Sequence, residues 1–507
     1  MKKIDRSSKV RTGFHQAKWD EPVIFELSKH GERGILVNKA DPKVAEAVEG
    51  VNALPEFLKR KEAPALPEIS QPRVLRHYAR LAQETLGADV NIEIGQGTCT
   101  VKYSPKVNDQ LANLPQMREM HPLQDESTCQ GIMEIMYNTG KYMCEISGMD
   151  RFSFQPSGGS QGILGMASLV YAYYKSRGEE KQRNEIITTI YSHPSDAAAP
   201  HVKGFKIIYL HPDENGYPDY EAFKAAVNEH TAAFFVANPE DTGVYNKNVL
   251  KFTKLVHEAG GLCAYDQANA NGLLGVTRAR DAGFDMCFFN LHKTFSTPHG
   301  GGGPGSGAVG CKEFLKPFLP SPTVCKDENG YHFCRNNPQS IGSVKEFYGN
   351  FLVVVRALTY VLTLGKEGIP EASSNAVLNC NYMMNHLKDL YDMAFDTGCM
   401  HEFVMTLEKL KKEKDVSAMD VAKALLDNGI HPPTMYFPLI VHEALMVEPT
   451  ETEPREVLDH AIEVFRSIYQ TAIEQPESLH EMPLHTPVRR LDEVGAARNP
   501  KLRFSFE

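Results

Sequence analysis

A lysine at the end of an apolar run is the residue in this chain best placed for covalent chemistry. Phe284-Asp285-Met286-Cys287-Phe288-Phe289 leads into Asn290-Leu291-His292-Lys293-Thr294-Phe295, and His299 with the glycine-dense run 300–305 follows. A buried strand that delivers a lysine into a cleft strips water from the amine and keeps it available as a nucleophile. Glycines let backbone approach a bound group where side chains would collide. Together these features point to a lysine that condenses with a carbonyl cofactor.

Three further places could serve such a cofactor. Asp266 follows the apolar run Leu262-Cys263-Ala264-Tyr265, where a carboxylate can keep a pyridine nitrogen protonated. It could equally be a helix N-cap, and its pairing with Lys293 favours the cofactor role. Ser157-Gly158-Gly159-Ser160-Gln161-Gly162 precedes a long helical stretch, so free N–H groups at the helix start could hold a phosphate, although a plain loop-to-helix turn reads the same way. His193 follows another apolar run and could stack on an aromatic ring, although a lone histidine is more often structural. Phosphate loop, stacking residue, aspartate and lysine on successive strand ends suggest pyridoxal 5′-phosphate (PLP).

Rival motifs are weaker. The glycine run satisfies G-x-G-x-x-G, but Pro304 interrupts it and Ser306 to Gly310 reads as a strand, not the helix a nicotinamide site requires. No G-x-x-x-x-G-K-[ST] occurs. His292 and His299 lack a carboxylate or cysteine at ligand spacing, so no metal site is expected.

These residues need a frame that presents strand ends. Ile187 to Tyr191, Lys206 to Leu210, Ala232 to Val236, Leu262 to Tyr265 and Phe284 to Phe289 read as strands. Gln161 to Lys175, Tyr220 to Glu229 and Lys247 to Ala259 read as helices. Near-continuous apolar strands alternating with helices predict an α/β fold with a mostly parallel sheet covered on both faces. Ligands bind beyond the carboxyl ends of such strands. We divide the chain into an extended N-terminal arm (1–75), a large cofactor-binding domain (76–345) and a small C-terminal α/β domain with a tail (346–507), in which Thr434 to Val441 reads as a strand.

Composition narrows the class. With 507 residues, 42% of them hydrophobic, the chain can bury a large core. A net charge of −10 with only short basic runs argues against nucleic acid as a partner. The ten cysteines are scattered without a Cys-x-x-Cys pair and read as reduced thiols. No apolar signal core follows the first residues, and Phe351 to Leu364 is too short to span a bilayer. The expectation is a soluble cytoplasmic protein with no membrane contact.

The segment 290–305 resembles the cofactor-lysine segment of the glycine decarboxylase P-protein family. The likeness extends through Gly97-Thr98-Cys99-Thr100, Gln155-Pro156, Tyr265-Asp266, Pro433-Thr434 to Ile440, the run 448–453 and the run 486–494. The length resembles the lysine-bearing second subunit of the split bacterial form. That resemblance implies a fold-type I PLP-dependent transferase fold and a heterotetramer with a homologous first subunit. It further implies decarboxylation of glycine, a small amino acid, with transfer of the aminomethyl group to the lipoyl group of H-protein. Carried over by residue, Lys293 would bond the cofactor, Asp266 would partner its ring nitrogen and His193 would stack on the ring. Gly159 and Ser160 would lie near the phosphate, Thr294 would add a hydroxyl there, and Asn269 and Asn271 would stand beside the cofactor. The chain departs from the family at Gln267 for glycine, Ile163 for glutamate, Pro194-Ser195-Asp196 for Gly-Thr-Asn, and Glu240-Asp241 for Asn-Thr. These departures leave a second reading open: another fold-type I decarboxylase, lyase or aminotransferase acting on a different amino acid. A non-catalytic partner of the complex is disfavoured, because a scaffold has no use for Lys293 and Asp266.

Overall fold

The computed structural model describes residues 14–49, 54–86, 91, 92, 94, 104–297, 305–335 and 337–505. Gly97 to Thr100 and most of the glycine-dense loop, His299 to Pro304, lie outside the described residues.

Seven strands form the main sheet: β1 (Arg151–Ser153), β2 (Glu185–Thr189), β3 (Lys206–Leu210), β4 (Thr231–Ala237), β5 (Leu262–Gln267), β6 (Met286–Asn290) and β7 (Gly307–Cys311). Their order is β1-β7-β6-β5-β4-β2-β3, parallel from β3 through β6, with β7 antiparallel to both of its neighbours. The five expected strands are all present, shifted by at most two residues at an end. Every residue of β4, β5 and β6 is buried, which explains why their sequences show no polar alternation. Phe234 and Val236 enter the cluster on one face, and Ala233 and Phe235 the cluster on the other. Each large side chain so buried contributes about 1.5–3 kcal/mol. The stretch after the glycine loop is strand β7, so the helix of a dinucleotide fingerprint is missing.

The helices cover both faces. Gly159–Ser176 and Val249–Glu258 match expectation, but Tyr220–Ala226 stops short of Glu229. Asn228 ends it early: its amide bonds Ala226 O and its carbonyl takes the His230 N–H, the local side-chain competition that breaks helices.

A long helix, Phe351–Leu387, is interrupted at Gly365, where φ is +65°. Its first half (Val353, Val354, Ala357, Tyr360) packs into a core of the main sheet. Its second half (Cys380, Met383, Met384, Leu387) packs into a separate C-terminal core. That second core also holds a helix, Arg455–Glu474, and an antiparallel sheet. Between β7 and the long helix in the chain comes the hairpin β8 (Thr323–Asp327) and β9 (Gly330–Cys334), which packs on the main-sheet core through Val324, Tyr331 and Phe333. The second sheet has β10 (Asp392–Met393), β11 (Phe403–Thr406), β12 (Thr434–Met435) and β13 (Ala444–Val447), in the order β10-β11-β13-β12. Thr434 to Val441 is therefore not a full strand. Tyr436 still donates its N–H to Ala444 O at 2.9 Å, but it sits at φ +58° and Pro438 offers no N–H, so the ladder goes no further.

The cysteine reading needs a correction. Cys325 and Cys334 form a disulfide across the β8–β9 hairpin, with their Cα atoms 6.0 Å apart. Hairpin register brings the two together, and no short-range cysteine motif announces it.

Asp285 fastens the start of β6. It is 4% exposed and accepts from His257 Nε2 at 2.8 Å, Lys312 Nζ at 2.9 Å and the Cys263 N–H at 2.9 Å. Burial opposes its ionisation, but the partners win and hold the carboxyl below its ordinary range. Asp285→Ala should cost about 3 kcal/mol, as expected when one partner of a buried network is removed. A lower denaturation midpoint at unchanged m would show it.

Among the described residues no helix is long and apolar enough to cross a membrane.

Candidate active site

The carboxyl ends of β4, β5 and β6 lie side by side: Ala237 pairs with Asp266, and Gln267 with Phe289. Lys293, Asp266, His193 and Asn269 line one small cavity there, together with Asp241, His401 and Glu402. Lys293, Asp266 and His193, each 27 positions or more from the others in the chain, thus meet because parallel strands of one sheet all end on the same edge.

Lys293 sits in the turn that leaves β6 and is 7% exposed. Its N–H donates to Asn290 O at 3.0 Å, and Leu291 N–H donates to Ser306 O at 2.9 Å. The fully buried Leu291 and Phe295 anchor the turn on both sides. Ser296 then adopts φ +65° and is pinned by Asn108 Nδ2, which donates to its Oγ at 2.6 Å. Such left-handed geometry in a residue with a side chain costs of order 1 kcal/mol and is held by its surroundings. The lysine is positioned by packing and not by its own side chain.

Asp266 is 7% exposed, and its Oδ1 accepts the Ala268 N–H at 2.8 Å. Burial raises its carboxyl above the ordinary range, while that N–H and the nearby His193 and Lys293 act in the opposite direction. At His193 the ring Nδ1 accepts the Ser195 N–H at 3.2 Å and meets Ser195 Oγ at 2.7 Å. A backbone N–H can only donate, so the proton of the neutral ring lies on Nε2. Burial lowers the imidazole's proton affinity, Asp266 opposes that and Lys293 adds to it.

The predicted phosphate end does not open into this cavity. Gly159 and Ser160 begin the helix Gly159–Ser176, against the end of β6. A Cβ on Gly159 would lie 3.1 Å from Asn290 Nδ2, so this helix start and the lysine segment touch closely. Gln161 Oε1 accepts both the N–H (2.7 Å) and the Oγ (2.9 Å) of Ser157 and thereby shapes the turn. The first N–H groups of the helix have no partner within it. Thr294 is buried, and its Oγ1 accepts the Ala270 N–H at 2.9 Å. Asn269 and Asn271 both donate to Glu448 Oε1, at 3.0 and 3.2 Å. That carboxylate comes from the C-terminal unit and ties it to the β5 loop.

Reading strand ends did not reveal several polar groups here. His401 and Glu402 enter the cavity from just before β11, outside the parallel sheet, and are 2% and 3% exposed. The close seating of Gly243 on the Glu402 backbone, where a Cβ would come within 1.8 Å of its carbonyl oxygen, brings them in. Glu448 lies in the run 448–453 that carried the family likeness, a signal that could have flagged it. Glu240 is buried within hydrogen-bond distance of Thr189 Oγ1 (2.9 Å) and Ser192 Oγ (2.6 Å). Burial pushes Glu240 up to about 8 and Asp241 up to about 7. Asp196 is 1% exposed and is raised well above the carboxylate range by burial and by Asp266. Ile163, in place of a family glutamate, is simply core.

Comparison with known proteins gives the family and the fold. Residues 160–326 match the family model described as Aminotransferase class-V, and residues 372–485 match Glycine dehydrogenase, C-terminal domain. The probable glycine dehydrogenase (decarboxylating) subunit 2 of Thermococcus onnurineus is 48% identical over 491 residues, covering 96% of each chain. That of Caldanaerobacter subterraneus subsp. tengcongensis is 47% identical over 483 residues, covering 95% of this chain and 98% of its own. A solved structure of the glycine decarboxylase P-protein of the glycine cleavage system, in inhibitor-bound form, superposes with a TM-score of 0.71 at 19% identity, over 86% of this chain and all of that one. A cysteine desulfurase from Thermococcus onnurineus shares the fold at a TM-score of 0.59 and 15% identity, over 76% of this chain and 98% of that one. The large sheet is therefore that of the fold-type I transferases, and the chain belongs to the glycine dehydrogenase (decarboxylating) subunit 2 family.

Proposed function

We propose that this chain is the cofactor-bearing subunit of a PLP-dependent glycine decarboxylase, with Lys293, Asp266 and His193 as its working residues. The observation that carries this reading is the meeting of a buried lysine and a buried aspartate in one cavity on adjacent strand ends. The residues fit PLP group by group. Lys293 supplies an amine for its aldehyde, Asp266 a carboxylate for its ring nitrogen and His193 a planar face. The first turn of Gly159–Ser176, with Gly159 and Ser160, supplies N–H groups for its phosphate, and Thr294 a nearby hydroxyl. Asn269 and Asn271 hold the β5 loop in place through Glu448.

When bound, PLP delocalises the negative charge left on carbon as carbon dioxide departs. The protein's part is to direct that charge. Asp266 holds a proton at the ring nitrogen. His193, neutral and protonated on Nε2, stands beside Lys293 as a second proton carrier. Ala237, Pro239 and Ala268 in the cavity wall exclude water, so the carbon is not quenched by solvent protons before transfer. The acceptor in this reading is the lipoyl group of H-protein. A homologous first subunit completes a heterotetramer, and the setting is cytoplasmic.

The test is exchange of labelled bicarbonate into the glycine carboxyl group. Exchange should need glycine, lipoylated H-protein and the first subunit together. Exchange seen only with another amino acid in a substrate panel would favour a different fold-type I reaction.

A further inference from the structure

The chemistry proposed for this site leaves several buried acids unused, Asp196 among them. Asp196 lies in the first turn of the helix Ser195–Val202, which follows β2, and is 1% exposed. Both of its carboxyl oxygens are buried, and neither accepts an N–H or O–H donor among the described residues. Its N–H donates to His193 O at 2.9 Å, which places Asp196 beside the cavity that His193, Asp241 and Asp266 line, and its carboxyl lies within hydrogen-bond reach of that of Asp266. Two carboxylates in contact inside a buried site cannot both be ionised, and they resolve the conflict by sharing a proton.

We infer that Asp196 is a positioning residue for Asp266: its carboxylic acid donates a hydrogen bond to the Asp266 carboxylate, and the pair holds one proton between them. The inference rests on the reading of Asp266 as the partner of the cofactor ring nitrogen.

The surroundings decide which acid carries the proton. Asp266 has the Ala268 N–H at 2.8 Å and the positive potential of Lys293 and His193 to stabilise its anion. Asp196 has no such donor, and the carboxyls of Asp241 and Glu240 add to its burden. The proton therefore stays on Asp196. The charge balance follows: Asp266 keeps its negative charge for the ring N–H, and Asp196 fixes the plane in which that charge is presented. Asparagine at position 196 can still donate one N–H to Asp266, whereas alanine cannot.

Two measurements on the full chain test this. Infrared spectra of the cofactor-free protein should show protonated-carboxyl absorption near neutral pH, and Asp196→Asn should remove the share of one acid. Cofactor titration should give Asp196→Asn a Kd within about threefold of wild type, and Asp196→Ala a Kd at least about tenfold weaker, as for a lost hydrogen bond to a charged group. Circular dichroism confirms that each variant is folded, and the asparagine variant keeps the test valid if alanine is not. An unchanged carboxyl absorption in Asp196→Asn overturns the inference, as does an affinity loss in Asp196→Asn equal to that in Asp196→Ala. If wild-type chain fails to bind PLP at Lys293, the functional reading falls, and the infrared result still decides the shared proton.

Discussion

Lys293→Ala is expected to lower glycine turnover at least about a thousandfold, a loss of ~4 kcal/mol of transition-state stabilisation. It is also expected to abolish borohydride-fixed cofactor on the chain. Both effects arise from one amine. The backbone of this turn is held by Asn290 O and Ser306 O and by the seats of Leu291 and Phe295. Truncating the lysine side chain therefore leaves the frame standing and removes only the group that bonds the aldehyde. Added PLP can still occupy the phosphate and ring contacts, so residual binding without a covalent link is the expected remainder. A variant that turns over glycine at near wild-type rate, or wild-type protein whose trapped cofactor maps to another lysine, would refute the assignment. An unchanged far-ultraviolet circular dichroism spectrum is the control.

How much of this site could be read from sequence depends on where each residue enters it. Lys293, Asp266 and His193 follow apolar strands of one parallel sheet, and a rule about strand ends is enough to find them. His401 and Glu402 precede the strand β11 of another unit, and reach the cavity where Gly243 lets two backbones nearly touch. No local periodicity encodes that approach. Glu448 belongs to the same case, since its meeting with Asn269 and Asn271 spans almost 180 residues. The fold shows the same divide. β4 and β6 are legible because burial on both faces writes itself into the composition of five to seven consecutive residues. β12 is not, because the conformation of Tyr436 cuts an apolar run short. The Cys325–Cys334 bond depends on hairpin register, which the sequence does not spell out. Asp196, Glu240 and Asp241 stood out as departures from the family pattern. Only the structure shows that the three acids gather around Asp266.

Those acids make a second large effect measurable without any cofactor. Between pH 6.5 and 8 the cofactor-free protein should lose about 2 kcal/mol of stability, and Glu240→Gln should remove most of that slope. The sign follows from proton counting. Unfolded Glu and Asp titrate near ~4.3 and ~3.9, whereas burial raises Glu240 to about 8 and Asp241 to about 7 in the folded chain. Over the interval between those values the native state keeps protons that the unfolded chain has released, so stability falls as pH rises. The contribution is fully present below about pH 4 and is spent once the pH passes the folded value of Glu240 near 8. His193 acts the other way at lower pH: burial depresses its proton affinity, so unfolding takes up a proton below the ordinary histidine value of ~6.5. Starting at pH 6.5 leaves that opposing term out. Glutamine keeps the shape of the protonated acid and a carbonyl that can accept from Thr189 or Ser192, so the variant should fold and its denaturation midpoint should keep only the smaller slope that Asp241 supplies across the window. Parallel pH slopes in wild type and Glu240→Gln would place a carboxylate, not a carboxylic acid, between Thr189 and Ser192. The two hydroxyls would then be the stabilising donors of a buried anion, and the burial of Glu240 would have to be offset entirely by them.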